Sequence, residues 1–215
     1  MFIILSIILV VIIAFLIYAS SHIGSDVYIK TICHNSTNKI LFTFDDGPHP
    51  TLTPIILDIL KEHNIHAIFF VIGKNALENP DIIKRIIAEG HQIGIHTYSH
   101  SAHFPLLKTA EIEKELQSTQ EVIKEITQTT TYLFRPPFGV TNPNIARAVN
   151  NLKLQTIGWS IRSLDTSLPI EKSYDRVITR LHKDAIILLH DNRDNTPNLT
   201  QKILEHLNSH NIQIQ

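Results

Sequence analysis

The sequence contains a single cysteine, Cys33, and has almost no net charge, −1 at pH 7. One cysteine excludes an intrachain disulfide and a cysteine-based zinc site. No basic stretch is interleaved with aromatic residues, so the charge pattern of a nucleic-acid-binding protein is missing and no nucleic-acid partner is expected. Internal repeats and low-complexity segments are also missing. The 215 residues, 43% hydrophobic and 18% charged, are typical of one well-cored globular domain.

The N-terminal segment lacks charge altogether, since the first charged residue is Asp26 and residues 1–18 are apolar except for Ser6. A helix of about 19 residues spans roughly 28 Å, enough for the hydrocarbon core of a bilayer. Cleavable signal peptides usually have a basic start and a shorter apolar stretch. We therefore expect residues 1–19 to be a membrane anchor, with removal as a signal segment near Ala19-Ser20-Ser21 as the alternative. Residues 20–38 are interpreted as a polar stem, followed by a folded domain over residues 39–215.

From Lys39 onward, short β-rich runs alternate with stretches of helical periodicity, which predicts an α/β fold with a parallel sheet or barrel. Seven strands are predicted, at residues 40–44, 66–72, 92–95, 132–134, 154–158, 185–189 and 211–214. Helices are predicted over about residues 50–63, 79–88, 108–127, 142–151, 171–182 and 199–208. Seven strands fit an incomplete barrel better than a flat open sheet.

Five of the apolar runs lead into residues that can bind a metal or transfer a proton. These residues are Asp45 and Asp46, His96 and His100, Arg135, Asp165, and His190. In barrels of parallel strands, the chemistry lies at the C-terminal ends of the strands. The pattern therefore predicts one active site assembled from five strand ends.

The adjacent carboxylates Asp45 and Asp46 strengthen the prediction that His96 and His100 bind a metal. Adjacent carboxylates directly after a strand repel each other, and holding them together is costly unless a cation or an arginine neutralises one of them. His96 and His100 lie four residues apart, a spacing that can turn two imidazoles toward one cation. Because the chain contains 13 histidines, the pair would be weak evidence without the carboxylates.

Five segments together resemble the motifs of polysaccharide deacetylases with the NodB homology domain, carbohydrate esterase family 4. They are Thr43-Phe44-Asp45-Asp46-Gly47-Pro48, His96-Thr97-Tyr98-Ser99-His100, Arg135-Pro136-Pro137-Phe138-Gly139, Trp159 to Asp165, and Leu188-Leu189-His190-Asp191. They occur in the family's order and cover about residues 39–191. The resemblance implies a distorted, incomplete (β/α) barrel of about seven strands. It also implies metal-dependent removal of N-acetyl groups from an N-acetylglucosamine-containing glycan.

By resemblance, Asp46, His96 and His100 are the metal ligands. The metal is expected to be zinc, with other divalent ions as the alternative. Zinc held by three protein ligands lowers the pKa of its bound water to roughly 7, which provides a nucleophile at neutral pH. Asp45 matches the catalytic base, and Arg135 would hold Asp45 by a charge-assisted contact.

The remaining roles implied by the resemblance concern the acid and the substrate. His190 matches the general acid that protonates the leaving amine, and Asp165 would keep its imidazolium populated. The backbone N–H of Phe138 would stabilise the oxyanion. Trp159 and Leu188 match apolar residues around the acetyl methyl group.

The fourth motif departs from the family pattern, because Arg162 and Thr166 stand where an Asp and a Trp are common. This departure bears on substrate contacts more than on the chemistry. Two alternatives stay open. A catalytically silent glycan-binding module could retain the fold, and a non-haem iron enzyme could also use two histidines and one carboxylate. The glycan could be peptidoglycan, a chitin-like oligomer or an exopolysaccharide.

The expected location is a membrane-anchored or exported protein whose catalytic domain lies outside the cytoplasm. Lys30 and Lys39 follow the apolar segment and no basic residue precedes it, which is slightly adverse to this orientation. Large domains are translocated largely regardless of such charges.

Overall fold

The computed structural model describes residues 2–215 and contains one sheet of eight strands surrounded by helices. The strands are β1 Thr31–Ile32, β2 Leu41–Asp45, β3 Ile68–Val71, β4 Gln92–Ile95, β5 Leu133–Phe134, β6 Gln155–Ile157, β7 Ile161–Arg162 and β8 Ile186–His190. The α-helices are α1 Phe2–Ser21, α2 Leu52–Glu62, α3 Gly73–Glu78, α4 Pro80–Ala88, α5 Thr109–Thr127, α6 Pro143–Asn151, α7 Ile170–Ile178 and α8 Thr196–Ser209.

The strand order is β1-β6-β5-β4-β3-β2-β8-β7, and every pairing between these strands is parallel. The sheet curls into an incomplete barrel, with the two-residue strands β1 and β7 at its edges. The predicted fold class is thus confirmed. The central strands β2, β3 and β8 are almost entirely buried, as expected where helices cover one face and the barrel interior the other.

Two apolar cores result from this arrangement. The larger core lies between the sheet and its helices, where amphipathic helices such as α5 bury one stripe. The smaller core fills the barrel and contains Leu41, Ile68, Phe70, Ile157 and Ile186. A local signal also marks where helix α6 begins. The Asn142 side chain accepts hydrogen bonds from the backbone N–H groups of Asn144 and Ile145, both at 2.9 Å.

The strand prediction was wrong at the C-terminus. Residues 211–214 form one isolated bridge, Ile40 to Ile214, and no strand. The reason is that β2 already pairs with β3 on one side and β8 on the other, so no free edge is available beyond Ile40. Two short edge strands, β1 and β7, were not predicted, because two residues show no periodicity. The short helix α3 was missed as well.

The N-terminal helix α1 is long and apolar enough to cross a membrane by length and composition, with a mean hydropathy of 3.2 over its best window. Its C-terminal end contacts the domain. The Ala19 carbonyl accepts from Ser25 Oγ and Thr141 Oγ1, each at 3.1 Å, and the Ser20 carbonyl accepts from the Thr141 N–H at 2.9 Å. Ala19 is fully buried.

In the structure, residues 20–38 are more than the polar stem expected from the sequence. Ile23 and Ile29 are buried, and β1 pairs with β6 through Thr31 and Ile32. The buried apolar residues of this segment are too few and too irregularly spaced to indicate a strand or helix from the sequence. Within the segment, Thr31 and Ile32 are part of the sheet and His34 forms an isolated bridge to Ala185.

Candidate active site

Eight of the ten predicted site residues line one cavity of about 220 Å³ at the C-terminal ends of the strands. They are Asp45, Asp46, His96, His100, Phe138, Trp159, Leu188 and His190. The other two, Arg135 and Asp165, are buried behind the cavity and bind Asp45 and His190. The parallel barrel therefore brings together residues that lie up to 145 positions apart in the chain, from Asp45 to His190.

Asp46, His96 and His100 place three ligand atoms within 4.8 Å of one another. Asp46 Oδ1 lies 3.5 Å from His96 Nε2 and 3.3 Å from His100 Nε2. His96 Nδ1 donates to the Arg135 carbonyl at 2.8 Å, which leaves Nε2 with its lone pair toward Asp46. Burial lowers the pKa of His96 to about 3 despite the nearby Asp46. Two imidazoles with one carboxylate form a donor set that fits a divalent metal such as zinc.

Asp45 is held by a fully buried arginine. Arg135 Nη1 donates to Asp45 Oδ1 and to Thr43 Oγ1, each at 2.8 Å. Its other nitrogens donate to the carbonyls of Ile157 at 3.0 Å and Gly158 at 2.6 Å. Burial raises the pKa of Asp45 even though Arg135 opposes this effect. The carboxylate is therefore fixed in position and is a stronger proton acceptor than a free aspartate.

His190, the last residue of β8, forms an ion pair with Asp165 in the loop after β7. The imidazole Nδ1 donates to Asp165 Oδ1 at 2.8 Å, and the other carboxylate oxygen accepts from the His190 backbone N–H at 2.7 Å. Ser163 and Thr196 hydroxyls complete the carboxylate's partners. Burial would lower the pKa of His190, but the hydrogen bond and charge of Asp165 outweigh it and the pKa is raised. The protonated imidazole is thus favoured.

The apolar part of the cavity is built from Phe138, Trp159 and Leu188. The Phe138 ring is 51% exposed and packs edge-on against His100, with ring centroids 5.1 Å apart. Phe138 has φ 61° and Gly139 has φ 71°, so the loop turns through left-handed backbone here. A Cβ on Gly139 would lie 2.5 Å from the Trp159 ring, which explains why this position requires glycine.

Several further residues contact the site. Asn75 Nδ2 donates to the Asp46 carbonyl at 2.9 Å, and Asn192 Nδ2 lies 3.4 Å from Asp46 Oδ2. Arg193 lines the cavity together with Arg162 and Thr166. Sequence reasoning missed Asn75, Asn192 and Arg193. Asn192 and Arg193 could have been suspected from the sequence, because they closely follow the strand end at His190.

A second group with metal-ligand chemistry is present in the described part of the chain. His34, His182 and Asp184 also place three ligand atoms within 4.8 Å. Asp184 accepts from His34 Nδ1 at 3.1 Å and from His182 Nδ1 at 2.8 Å. The His34 side chain is 61% exposed. From the sequence alone, His34 and His182 are expected to be structural or solvent-facing.

Comparison with known proteins decides the family. A family model described as polysaccharide deacetylase matches residues 34–157. A chitooligosaccharide deacetylase from Sinorhizobium fredii is 32% identical over 168 residues, covering 76% of this chain and 78% of the relative. The chain belongs to the polysaccharide deacetylase family. The resemblance seen in its motifs is confirmed, and so is the enzyme class, a hydrolase that removes N-acetyl groups from glycans.

Solved structures of the deacetylase family share the fold. The peptidoglycan deacetylase PdaC from Bacillus subtilis superposes with a TM-score of 0.77 at 30% identity, covering 82% of this chain and 86% of that one. A pseudoenzyme of carbohydrate esterase family 4 from Bacillus anthracis gives a TM-score of 0.77 at 26% identity, covering 84% of this chain and 64% of that one. Among the curated relatives, the aligned region spans from 36% to 78% of the relative's length.

Proposed function

We propose that this chain is a zinc-dependent N-deacetylase of N-acetylglucosamine-containing glycans, anchored in a membrane by α1, with its catalytic domain in the cell envelope outside the cytoplasm. The observation that supports the chemistry best is that a metal-ligand cluster, a base and an acid face one cavity. Asp45 and His190 occupy adjacent strand ends, since β2 and β8 pair in parallel with these two residues in register. The base and the acid can therefore act on the same amide group of the substrate.

Asp46, His96 and His100 would hold the metal. When bound, the metal supplies a Lewis acid that activates water and polarises the acetyl carbonyl. The donor set and the neutral state of His96 support this assignment. The same donors also suit non-haem iron, but the hydrolytic assignment is supported by Asp45 and His190, for which an oxygenase has no evident use.

Asp45 acts as the general base. Its Oδ1 is taken by Arg135 at 2.8 Å, while Oδ2 faces the ligand cluster at 3.8 Å from His96 Nε2. Oδ2 is thus the oxygen that accepts the proton of the attacking water. Arg135 is a positioning residue, because its four hydrogen bonds lock the guanidinium without contact to substrate.

His190 acts as the general acid. Its Nδ1 is bound to Asp165, so Nε2 is the atom that donates a proton to the departing amine. A deacetylation releases an amine only when its nitrogen is protonated, and the raised pKa of His190 keeps that proton available near neutral pH. The backbone N–H of Phe138 would donate to the oxyanion. Trp159 and Leu188 would enclose the acetyl methyl group.

The silent-module alternative deserves a direct test because a pseudoenzyme shares the fold. Here the proposed base Asp45 and acid His190 are hydrogen-bonded to Arg135 and Asp165, and the three proposed ligands lie together, which supports an active enzyme. The test is acetate release by the purified full chain from N-acetylated chitooligosaccharide and from peptidoglycan, with and without chelation followed by zinc addition. We expect release that chelation removes and zinc restores. Binding to either glycan without any acetate release would favour the silent module.

A further inference from the structure

The incomplete closure of the barrel leaves a groove between its two edge strands. This groove has a volume of about 700 Å³ and is lined by residues of both edges, of α7 and of the segment after α1, among them Gly24, Thr31, Cys33, Ser160, Arg176 and Arg180. We call it the seam groove. Within residues 2–215 no strand lies between β1 and β7, and an isolated bridge joins His34 to Ala185 across the seam.

The seam groove adjoins the catalytic cavity. Trp159 and Arg162 line both. The Arg162 guanidinium carbon lies 5.8 Å from the centroid of the Trp159 ring, so these two side chains stand together at the junction. A glycan whose acetylated sugar occupies the catalytic cavity can therefore extend past Trp159 into the groove.

The groove concentrates positive charge in a chain whose net charge is −1. Its lining contains three arginines, Arg162, Arg176 and Arg180, and one carboxylate, Asp26, which accepts from the Thr31 N–H at 2.9 Å. Within residues 2–215, the arginine ion pairs involve only Arg85 and Arg135. The groove arginines are thus not neutralised by a carboxylate.

These arginines are also held in place. Arg176 Nε donates to the Arg162 carbonyl at 2.8 Å, and Arg180 Nη1 donates to the Arg176 carbonyl at 3.2 Å. Arg176 lies in the last turn of α7 and Arg180 lies two residues beyond its end, and both side chains line the groove. Guanidinium groups bind carboxylate and phosphate oxygens in a fork geometry. The departure at Arg162 in the fourth motif belongs to this positively charged surface.

We propose that the seam groove binds acidic groups of the glycan and makes this enzyme selective for anionic over neutral N-acetylated glycans. The inference rests on the proposed deacetylase function and names its substrate class. Carboxylates of a peptide-substituted glycan and phosphates of a phosphorylated glycan share the required chemistry. Ser21 to Gly24 line the groove directly after α1, so the bound glycan lies close to the proposed membrane surface.

Binding can be measured without catalysis, because Trp159 is the only tryptophan in the chain and lies at the junction. The full chain in nanodiscs of zwitterionic lipid is titrated with three probes while tryptophan fluorescence is followed. The probes are a neutral N-acetylglucosamine tetramer, the same tetramer with a reducing-end phosphate, and a peptidoglycan tetrasaccharide with free peptide carboxylates. The phosphate and carboxylate arms distinguish the two sources of charge.

The double variant Arg176→Gln/Arg180→Gln should reduce the ratio of anionic to neutral affinity by roughly tenfold, with the same change in the kcat/KM ratio. The matched control Arg147→Gln/Lys114→Gln removes the same charge from exposed positions on α6 and α5 and should not change either ratio. An unchanged ratio in the double variant, or an equal loss for all three probes, overturns the proposal.

Two further outcomes separate the competing explanations. If the double variant weakens association with anionic-lipid vesicles but leaves the oligosaccharide ratio intact, the groove is a membrane-docking surface and the glycan proposal is wrong. If the wild-type chain releases no acetate from any probe, the proposed function fails. The fluorescence titrations still decide the groove in that case.

Discussion

The chain contains two clusters of two histidines and one aspartate, and they differ in their surroundings. The first, Asp46, His96 and His100, lies inside a cavity beside a second carboxylate, Asp45. The second, His34, His182 and Asp184, lies at the surface. In the second, each imidazole donates to the carboxylate, and no further carboxylate belongs to the group. Ligand types alone therefore do not define a catalytic centre.

Two histidine–aspartate pairs also differ in their surroundings. His190 with Asp165 and His182 with Asp184 have the same Nδ1 to Oδ1 distance, 2.8 Å. Asp165 is buried and has three more donors, the backbone N–H of His190, Ser163 Oγ and Thr196 Oγ1. Asp184 is more exposed, and water can compete for it. Burial and complete hydrogen bonding are the features that would suit His190 to the proposed role of proton donor.

The largest expected effect contrasts the two clusters directly. His96→Ala removes one of three proposed ligands, so bound zinc should be lost and acetate release should fall by more than roughly 100-fold, beyond the effect usual for outer-shell partners. His34→Ala is the matched control and should keep the zinc content. Metal analysis of both purified variants checks this. Zinc lost from His34→Ala and retained in His96→Ala would reverse the assignment.

Asp45→Asn tests whether the second carboxylate is a base without being a ligand. Zinc should remain bound, while kcat should fall by roughly 10²–10⁴, the usual contribution of a positioned general base. The measurement combines metal content with the rate of acetate release. Simultaneous loss of metal and activity would assign Asp45 to the metal ligands instead.

Asp165→Asn tests the buried ion pair through pH dependence. Asp165 is the main group that raises the pKa of His190 against the lowering effect of burial. Without its charge, the pKa of His190 should drop, and the alkaline limb of kcat/KM should shift to lower pH. The acid limb should stay nearly fixed.

The control for the ion pair is Asp184→Asn, which removes the surface carboxylate and should leave both limbs in place. His190→Ala should be measured beside it, because an active His190→Ala variant with an unmoved alkaline limb in Asp165→Asn would contradict the acid role.

The smallest effect on catalysis is expected from shortening the N-terminus. Removal of residues 1–18 should release the chain from membranes and leave activity close to that of the full chain. Removal of residues 1–24 also deletes the buried Ala19 and Ile23. It should lower the free energy of unfolding by a further 2–3 kcal/mol or so, the approximate value of burying such side chains. Membrane fractionation and urea unfolding measure the two effects.

Equal stability of the two truncated chains would mean that the segment after α1 contributes little to the domain. Recovery of the unmodified protein as a soluble form starting near His22 would show cleavage in place of anchoring.

Most elements of the fold were predictable because their signals are local. Helix α5 has an apolar stripe, α4 and α6 have an asparagine and proline at their starts, and the buried strands β2 and β8 read as continuous apolar runs. The edge strands β1 and β7 have no such signal. Two residues acquire strand geometry only because a neighbouring strand, β6 or β8, offers its hydrogen-bonding edge.

The sequence by itself determined the proposed chemistry of the site, because the candidate residues follow apolar strands and their order along the chain can be read without coordinates. Which histidines among 13 share a cavity was decided by the barrel, which aligns the ends of β2 and β4. The pairing of Arg135 with Asp45 across 90 positions also needed the fold. Only tertiary structure placed Arg162, Arg176 and Arg180 around the open seam, since distance, burial and unpaired charge depend on how the chain folds in space.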